Sequence, residues 1–167
     1  MKTASQLYAA LRRFQDAYAA ALRPLCERTG MAQGAVDILL FLANNPGLDT
    51  ARDICLYRRL KPGIVSLHVE SLAREGYLER RPVPGDRRKC GLRCTELAQP
   101  IIREGQALQQ SFMQQIAAGM PEADLEVCLR CIRTMEANLA RMAGEYGRKR
   151  GRGGYVSFLS HSAAAGV

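Results

Sequence analysis

The sequence lacks the features that define several large classes of protein. No run of about 18 apolar residues occurs in its 167 residues, so nothing predicts a membrane-spanning helix. It contains no glycine-rich phosphate loop, no H-E-x-x-H metal motif and no nucleophile elbow. Only two histidines occur, His68 and His161, and the sequence offers neither of them a credible Cys or Ser partner for catalysis. We therefore expect neither an enzyme nor a resident cofactor or metal.

The N-terminal stretch also lacks the character of a secretory leader. Arg12, Arg13 and Asp16 interrupt what would be its apolar segment. A cleaved leader needs an uninterrupted apolar run, so this pattern predicts a first helix instead. The expected location is the cytoplasm.

Six cysteines are present, but their spacing does not predict a metal site or a disulfide framework. Without a secretory signal, disulfides are not expected. Cys90 and Cys94 fall on a predicted strand, where four residues span roughly 13 Å, too far for one metal ion. Cys128 and Cys131 share a helix face but supply only two ligands. Buried, small apolar side chains are the favoured interpretation of most of the six. They are Cys26, Cys55, Cys90, Cys94, Cys128 and Cys131.

Positive charge is concentrated in one part of the chain. The formal net charge is +8, and residues 58–93 hold ten Lys/Arg against four Asp/Glu. Residues 95–146 hold four against seven, while residues 147–167 add four basic residues. A basic block beside an acidic one indicates that a polyanion binds one face of the protein.

Apolar periodicity in the first half predicts four helices. Residues 5–27 form an amphipathic helix, and residues 31–42 form a nearly all-apolar, central one. Asp49 offers a carboxylate cap for a third, short helix. A fourth covers residues 62–75, starts with a proline and ends at Gly76, where a left-handed cap is expected. Two short helices joined by a tight turn are a helix-turn-helix unit.

A hairpin and two long helices follow. Residues 77–82 and 89–95 read as strands joined by a Pro-Gly turn with a basic tip. The helices that start at residues 95 and 121 carry apolar stripes longer than one small domain can cover, so we expect a partner subunit. The predicted fold class is mainly α with a small β-hairpin wing: a winged helix-turn-helix with long terminal helices. Residues 147–167 are expected to form a flexible basic tail.

The block VSLHVESLAREGYLERRPVPGDRRKCGLRCTELA resembles the recognition helix and wing of the MarR family of bacterial transcription regulators. The family pattern V-S-x-x-V-x-x-L-x-x-x-G-x-L-x-R leads to D-R-R and a strand ending in Leu-x-x-Thr. The resemblance extends more loosely over residues 5–142. It implies one domain over residues 1–146, with a DNA-binding lobe at about 31–95 and dimerisation helices at about 5–28 and 96–146.

The resemblance also implies a homodimer that binds a pseudo-palindromic operator in double-stranded DNA and acts as a repressor. Each recognition helix would enter a major groove, and each wing would place Arg88 in a minor groove with Asp86 beside it. The chain departs from the family at Gly63, Ile64 and Leu67, where Ser, Thr and Arg are usual, so phosphate contacts should supply much of the affinity. The candidate DNA-binding residues are Arg58, Arg59, Lys61, Gly63, Ile64, Ser66, Leu67, Ser71, Arg80, Asp86, Arg87, Arg88 and Arg93.

Two kinds of signal are compatible with this family. The first is a small, often aromatic effector bound between the DNA-binding lobe and the dimerisation helices. Such an effector changes the separation of the two recognition helices and releases the DNA. Either this crevice or the core would hold the chain's aromatic side chains at Tyr8, Phe14, Tyr18, Phe41 and Phe112.

The second kind of signal is oxidation of a thiol. Cys26, paired with Cys128 or Cys131, has a placement similar to that of the peroxide-sensing branch. Arg23 and Arg28 flank Cys26, and we expect them to lower the pKa of its thiol. A further alternative is a winged helix that binds another protein and has no specific DNA target.

Overall fold

The computed structural model describes residues 4–58, 60–83 and 86–150, and it describes side chains throughout these ranges except at residues 83, 86–89 and 143–150. The mainly α fold with a two-stranded hairpin is confirmed. The elements are α1 (Ala4–Thr29), α2 (Gln33–Asn44), α3 (Ala51–Arg58), α4 (Pro62–Arg74), β1 (Leu78–Val83), β2 (Asp86–Cys94), a 3-10 turn (Glu96–Ala98), α5 (Gln99–Ala117) and α6 (Glu122–Arg150). The chain divides into two compact units, residues 1–116 and residues 117–167.

Helix α2 is the centre of the first unit, as its nearly all-apolar sequence predicts. Val36, Ile38 and Leu39 are fully buried, and the described part of the unit builds one continuous core around them. Helix α1 adds Leu22 and Leu25 to this core. A helix that is apolar on all sides must be covered on all sides, which fixes the neighbouring elements around it.

Helix α3 begins with a reciprocal cap formed by Thr50 and Asp53. The Thr50 N–H donates to Asp53 Oδ2 at 3.0 Å, and the Asp53 N–H donates to Thr50 Oγ1 at 3.2 Å. Each side chain satisfies a backbone donor that the first helical turn leaves free. The prediction that Asp49 caps this helix is therefore wrong; the backbone carbonyl of Asp49 instead accepts the Leu92 N–H at 2.7 Å.

The two strands pair antiparallel, with Leu78 opposite Cys94 and Arg81 opposite Gly91. Strand β2 begins at Asp86, three residues before the predicted start, and the pairing shifts between Pro82 and Val83. Thr50 forms an additional antiparallel bridge with Gly91. The wing is thus joined at its base to the loop that precedes α3, and this holds it beside the helix-turn-helix.

Helix α5 follows a short 3-10 turn and does not start directly at Thr95 as predicted. A glycine inside this helix lets it approach α2 closely. A Cβ built on Gly105 would lie 2.7 Å from Leu40 Cδ2, closer than side-chain atoms pack. The glycine is therefore explained by packing at this crossing.

The second unit contains α6, which begins after Pro121 as predicted. Between residues 122 and 142, where its side chains are described, none is buried. Its exposed large apolar residues are Val127, Leu129, Ile132, Met135, Leu139 and Met142. The helix continues to Arg150, four residues into the segment expected to be a flexible tail, and residues 151–167 lie outside the described part of the chain.

Candidate nucleic-acid interface

Helix α4 packs against the rest of the lobe with its inner face and exposes its outer face to solvent. Val65, Val69 and Leu72 are buried, and the helix packs against α2 and α3. Pro62 occupies the first helical position, and the N–H groups of Ile64 and Val65 bond to the Lys61 carbonyl at 2.9 and 3.1 Å. These contacts fix the direction of a helix of 13 residues, or roughly 20 Å.

The left-handed cap at the end of α4 sets the position of the wing. Gly76 has φ +83°, a conformation that glycine adopts without strain, as predicted. Thr95 then ties the hairpin to this corner, since its Oγ1 donates to the Gly76 carbonyl at 2.7 Å and its N–H donates to the Tyr77 carbonyl at 3.0 Å. These two bonds hold the base of the wing against the C-terminal end of α4.

The outward face of α4 presents two large aliphatic side chains. Ile64 is 44% exposed and Leu67 is 62% exposed. Both lie in the first two turns of the helix, where a helix-turn-helix protein contacts base edges. The outward face as a whole consists of Gly63, Ile64, Ser66, Leu67, Glu70, Ser71 and Arg74.

Arg74 is a candidate contact that the sequence analysis missed. Its side chain is 73% exposed, and its Nη2 donates to Ser71 Oγ at 3.1 Å. Ser71 in turn donates to Glu75 Oε1 at 2.6 Å. The signal was available, because Arg74 follows Leu67 and Glu70 at the helical spacing of three and four that marks one face.

The wing carries exposed arginines on both strands. Arg80 is exposed, while Arg81 Nη2 lies 2.7 Å and Arg93 Nε 3.9 Å from the same atom, Glu79 Oε1. One carboxylate thus orients two guanidinium groups at the surface. The backbone of Asp86, Arg87 and Arg88 belongs to β2, their side chains lie outside the description, and Arg59 lies outside it altogether.

Arg58, predicted to contact phosphate, points into the protein at the end of α3. Its Nη2 lies 2.7 Å from Asp37 Oδ1 of α2, and the two side chains are 34% and 12% exposed. Asp37 Oδ1 also accepts the Tyr18 hydroxyl at 3.3 Å, and Gln109 Nε2 donates to that hydroxyl at 2.7 Å. This chain of polar contacts links α1, α2, α3 and α5, and its Arg58 lies four residues before the start of α4.

These polar groups line a cleft of about 590 Å³, called here the aromatic cleft. Phe14 and Tyr18 lie on its wall, and their rings stack with centroids 6.5 Å apart. Both contact Phe112 edge-on, at 5.3 and 5.5 Å. Burial raises the pKa of Tyr18, so its hydroxyl remains protonated and available as a donor at neutral pH. The lining residues are Leu11, Phe14, Gln15, Tyr18, Gln33, Asp37, Tyr57, Arg58, Leu60 and Gln109.

Of the five aromatic residues named from the sequence, two line the cleft, two are buried and Tyr8 does neither. Phe14 and Tyr18 line the cleft, and Phe112 packs against both of them. Phe41 is buried in the core against Tyr57, whereas Tyr8 is exposed and does not line the cleft. Both readings made from the sequence therefore hold for part of the set.

The expected activation of Cys26 is wrong. Burial raises the pKa of its thiol, and the negative charge of Asp37 raises it further. Arg28, expected to lower that pKa, forms an ion pair with Glu104 instead. Burial also raises the pKa of Cys94 to about 11, while Cys128 is half-buried and Cys131 is exposed. Among the described residues, no group of three or more potential ligands converges on a metal site.

A helix-turn-helix followed by an antiparallel wing defines the winged-helix class of nucleic-acid-binding folds. Residues 29–89 match the model of the MarR family, which confirms the resemblance of the winged-helix region to that family. The family and its structural neighbours are transcriptional regulators and not enzymes.

Solved structures extend the likeness to most of the chain. Transcriptional regulator PA3341 aligns over 81% of this chain and 96% of its own, with a TM-score of 0.70 and 23% identity. A MarR family regulator from Listeria monocytogenes complexed with 26mer DNA aligns over 92% and 98%, with a TM-score of 0.73 and 14% identity. Bordetella bronchiseptica BpsR, whose DNA binding is regulated by 6-hydroxynicotinic acid, aligns over 78% and 98%, with a TM-score of 0.61 and 19% identity.

No curated protein has a significant sequence match to the chain. At these identities the solved structures establish the shared fold. Within the described part of the chain, no helix combines the length and the apolar character that crossing a membrane requires.

Proposed function

We propose that this protein is a sequence-specific regulator of transcription that binds double-stranded DNA as a homodimer and represses the genes it controls. The observation that carries the proposal is the free outward face of α4 beside a wing with exposed arginines. Since duplex DNA is a polyanion, the ten basic residues of segment 58–93 complement it. The solved relative from Listeria in complex with 26mer DNA supports the same use of this fold.

The apolar side chains that the single chain leaves exposed support the proposed homodimer. Helix α6 exposes six large apolar residues, and Leu7, Leu11 and Phe14 of α1 are exposed as well. A row of exposed apolar side chains along one helix, as on α6, marks a protein interface. In a two-fold dimer the two α4 helices would then meet major grooves about one helical turn apart, roughly 34 Å.

The first experiment is selection of bound sequences from a pool of random duplexes by the full-length protein, at two salt concentrations. The expected result is an inverted repeat whose half-sites lie about one turn apart. Binding that depends steeply on salt without any preferred sequence would contradict a specific regulator. It would then favour the alternative of a winged helix that recognises another protein.

The wing provides a second test. We expect Arg88→Ala to weaken operator binding by about tenfold or more, because a guanidinium in a narrow minor groove gains from the concentrated negative potential there. The slope of log affinity against log salt should fall by about one for each lost phosphate-type contact. Arg103→Ala, at an exposed position of α5, is the matched control and should retain both affinity and slope. Unchanged binding by Arg88→Ala would show that the wing tip does not contact DNA.

The aromatic cleft is proposed as the site of a small aromatic acid that releases the DNA. Stacked rings on one wall and the Arg58 guanidinium on another match an aromatic ring and a carboxylate. A ligand carboxylate would compete with Asp37 for Arg58, four residues before α4 begins. Breaking that ion pair would loosen the link between the cleft and the recognition helix, and it would shift the protein toward the form that does not bind DNA. The relative BpsR, regulated by 6-hydroxynicotinic acid, supports this ligand class.

Calorimetric titration of the DNA-free protein with salicylate and 6-hydroxynicotinate tests this site. We expect binding of at least one of the two, and a loss of affinity of about tenfold or more in Arg58→Gln, since a charge-assisted pair is worth about 1.5–3 kcal/mol. Arg28→Gln removes an arginine whose ion-pair partner is Glu104, outside the cleft-lining set, and should bind as the parent does. Equal affinity in Arg58→Gln and the parent would place the ligand elsewhere.

The surroundings of Cys26 disfavour the thiol-switch alternative. The raised pKa of Cys26 leaves the thiol protonated at neutral pH, and a protonated thiol reacts slowly with peroxide. Peroxide treatment should therefore leave operator affinity unchanged. Release of DNA by peroxide, abolished in Cys26→Ala, would restore that alternative.

A further inference from the structure

The outward face of α4 is unusual in the chemistry it offers to a major groove. Between Lys61 and Arg74 the sequence contains no Arg or Lys. Guanine is most often read by a bidentate Arg or Lys on its O6 and N7. The first three turns of this helix therefore lack the group that usually selects guanine.

The polar groups on the same face are few, and one is already occupied. Gly63 has no side chain, and the Ser71 hydroxyl donates to Glu75 and accepts from Arg74. Ser66 and Glu70 remain, both exposed. A carboxylate such as Glu70 accepts hydrogen bonds and donates none when ionised.

Apart from these polar groups, most of the outward face of α4 is aliphatic. Leu67 is 62% exposed and Ile64 is 44% exposed, and neither contributes to the core. Leu67 lies on the outward face three residues from Glu70, so the Cβ atoms of the two are about 5–6 Å apart. One helix face thus presents a branched apolar side chain beside a single carboxylate acceptor.

Base pairs offer one apolar group in the major groove, the C5 methyl of thymine. A carboxylate is complementary to the exocyclic amino groups of cytosine and adenine, and it is repelled by the two acceptors of guanine. On these grounds, and resting on the DNA-binding function proposed above, we propose that α4 selects thymine through its methyl group. Leu67 and Ile64 contact that methyl, and Glu70 accepts a hydrogen bond from an amino-bearing base next to it.

The test replaces thymine by deoxyuridine, which removes the methyl group and leaves every hydrogen-bonding group in place. The operator recovered by selection is synthesised with this replacement at one thymine per half-site at a time, and binding of the full-length protein is measured at fixed salt. Because a buried methyl group is worth about 0.8 kcal/mol, we expect at least one position where affinity falls roughly fourfold per half-site.

Substitutions on α4 then test whether this helix causes the preference for thymine over deoxyuridine. Leu67→Ala should bind the thymine and deoxyuridine operators equally, while its affinity for unrelated DNA and its salt slope match those of the parent. Leu97→Ala, also at an exposed leucine but outside α4, should keep the preference for thymine. Thermal unfolding of both variants checks that neither loses the fold, as expected for exposed side chains.

The outcomes separate this inference from the proposed function. An operator that is selected but bound equally well with deoxyuridine at every position overturns methyl readout and leaves the regulator intact. A thymine preference that survives in both Leu67→Ala and Ile64→Ala also overturns it, because other residues then read the methyl. If selection recovers no operator, both the specific regulator and its methyl readout are contradicted.

Discussion

The winged-helix lobe (α2–α4, β1 and β2) buries its apolar residues, whereas helix α6 leaves them exposed. In the lobe, Ile38, Leu39 and Leu72 are almost completely inaccessible to solvent. In α6 the apolar residues repeat at a similar helical spacing, yet Ile132 and Leu139 remain exposed in the single chain. An apolar stripe predicts that a helix face packs against another surface. It does not predict whether that surface belongs to the same chain or to a second one. The lobe covers its apolar residues with its own elements, whereas α6 leaves its stripe exposed in the single chain.

The largest expected effect comes from placing charge on the stripe of α6. Ile132→Asp combined with Leu139→Asp puts two carboxylates on one face, seven residues apart, and two-fold symmetry doubles them in a dimer. Since an unpaired buried charge costs about 3–5 kcal/mol, we expect the dimer to dissociate and operator affinity to fall by roughly 10³-fold or more. Sedimentation equilibrium should report a particle of 18.4 kDa in place of one twice that mass.

The control for this variant lies on the same helix. Arg130 precedes Ile132 by two residues, which places it on the opposite side of α6. Arg130→Glu should therefore remain dimeric. A double Asp variant that stays dimeric would contradict the role given to the stripe, and the dimer contacts would have to lie elsewhere.

A smaller effect is expected from adding one methyl group inside the first unit. Alanine at an exposed position of a helix is favoured over glycine by about 1 kcal/mol. At Gly105 the new Cβ would lie 2.7 Å from Leu40 Cδ2, and overpacking of this kind costs about 1–3 kcal/mol, so Gly105→Ala should be destabilising overall. Gly63→Ala meets nothing within 4 Å and should be neutral or stabilising. Opposite signs in urea unfolding would confirm that packing against Leu40, and not helix propensity, decides the outcome.

The smallest effect concerns the thiols of the two regions. Cys94 in the lobe is partly buried, and burial raises the pKa of its thiol from the ordinary value of 9.0 to about 11. An unfolded chain then loses this proton at lower pH than the folded one. The protonated Cys94 thiol therefore contributes fully to the free energy of unfolding below pH 9, and this contribution disappears as the pH rises toward 11. Allowing for residual exposure of the side chain, the loss should be about 1–2 kcal/mol.

Urea unfolding at pH 8 and pH 10.5 measures this loss. The parent protein and Cys131→Ala, altered at an exposed thiol of α6, should both lose stability at the higher pH. Cys94→Ala should lose less, since it has no thiol to deprotonate there. An equal loss in all three proteins would show that other groups dominate the alkaline response.

Short-range patterns were enough to predict the elements of the lobe. The glycine at the end of α4, the proline at its start and the buried spacing of Val65, Val69 and Leu72 all act within a few residues of each other, and each is found as expected. Predictions of which polar side chain forms a given hydrogen bond, such as a helix cap, were less reliable. Thr50 and Asp53 cap α3 although Asp49 is adjacent, because two reciprocal bonds satisfy more backbone donors than one.

The sequence alone therefore determined the order of the helices, the hairpin, the basic character of segment 58–93 and the resemblance of its winged-helix region to the MarR family, because these depend on local periodicity, turn chemistry and charge. The tertiary structure decided which partners the charged groups take. Arg58 meets Asp37 of α2, Arg28 meets Glu104 of α5, and Tyr18 meets both Asp37 and Gln109. Such pairs join residues far apart in the chain. No local pattern encodes them, since they exist only once the packing of the core has fixed the distances between helices.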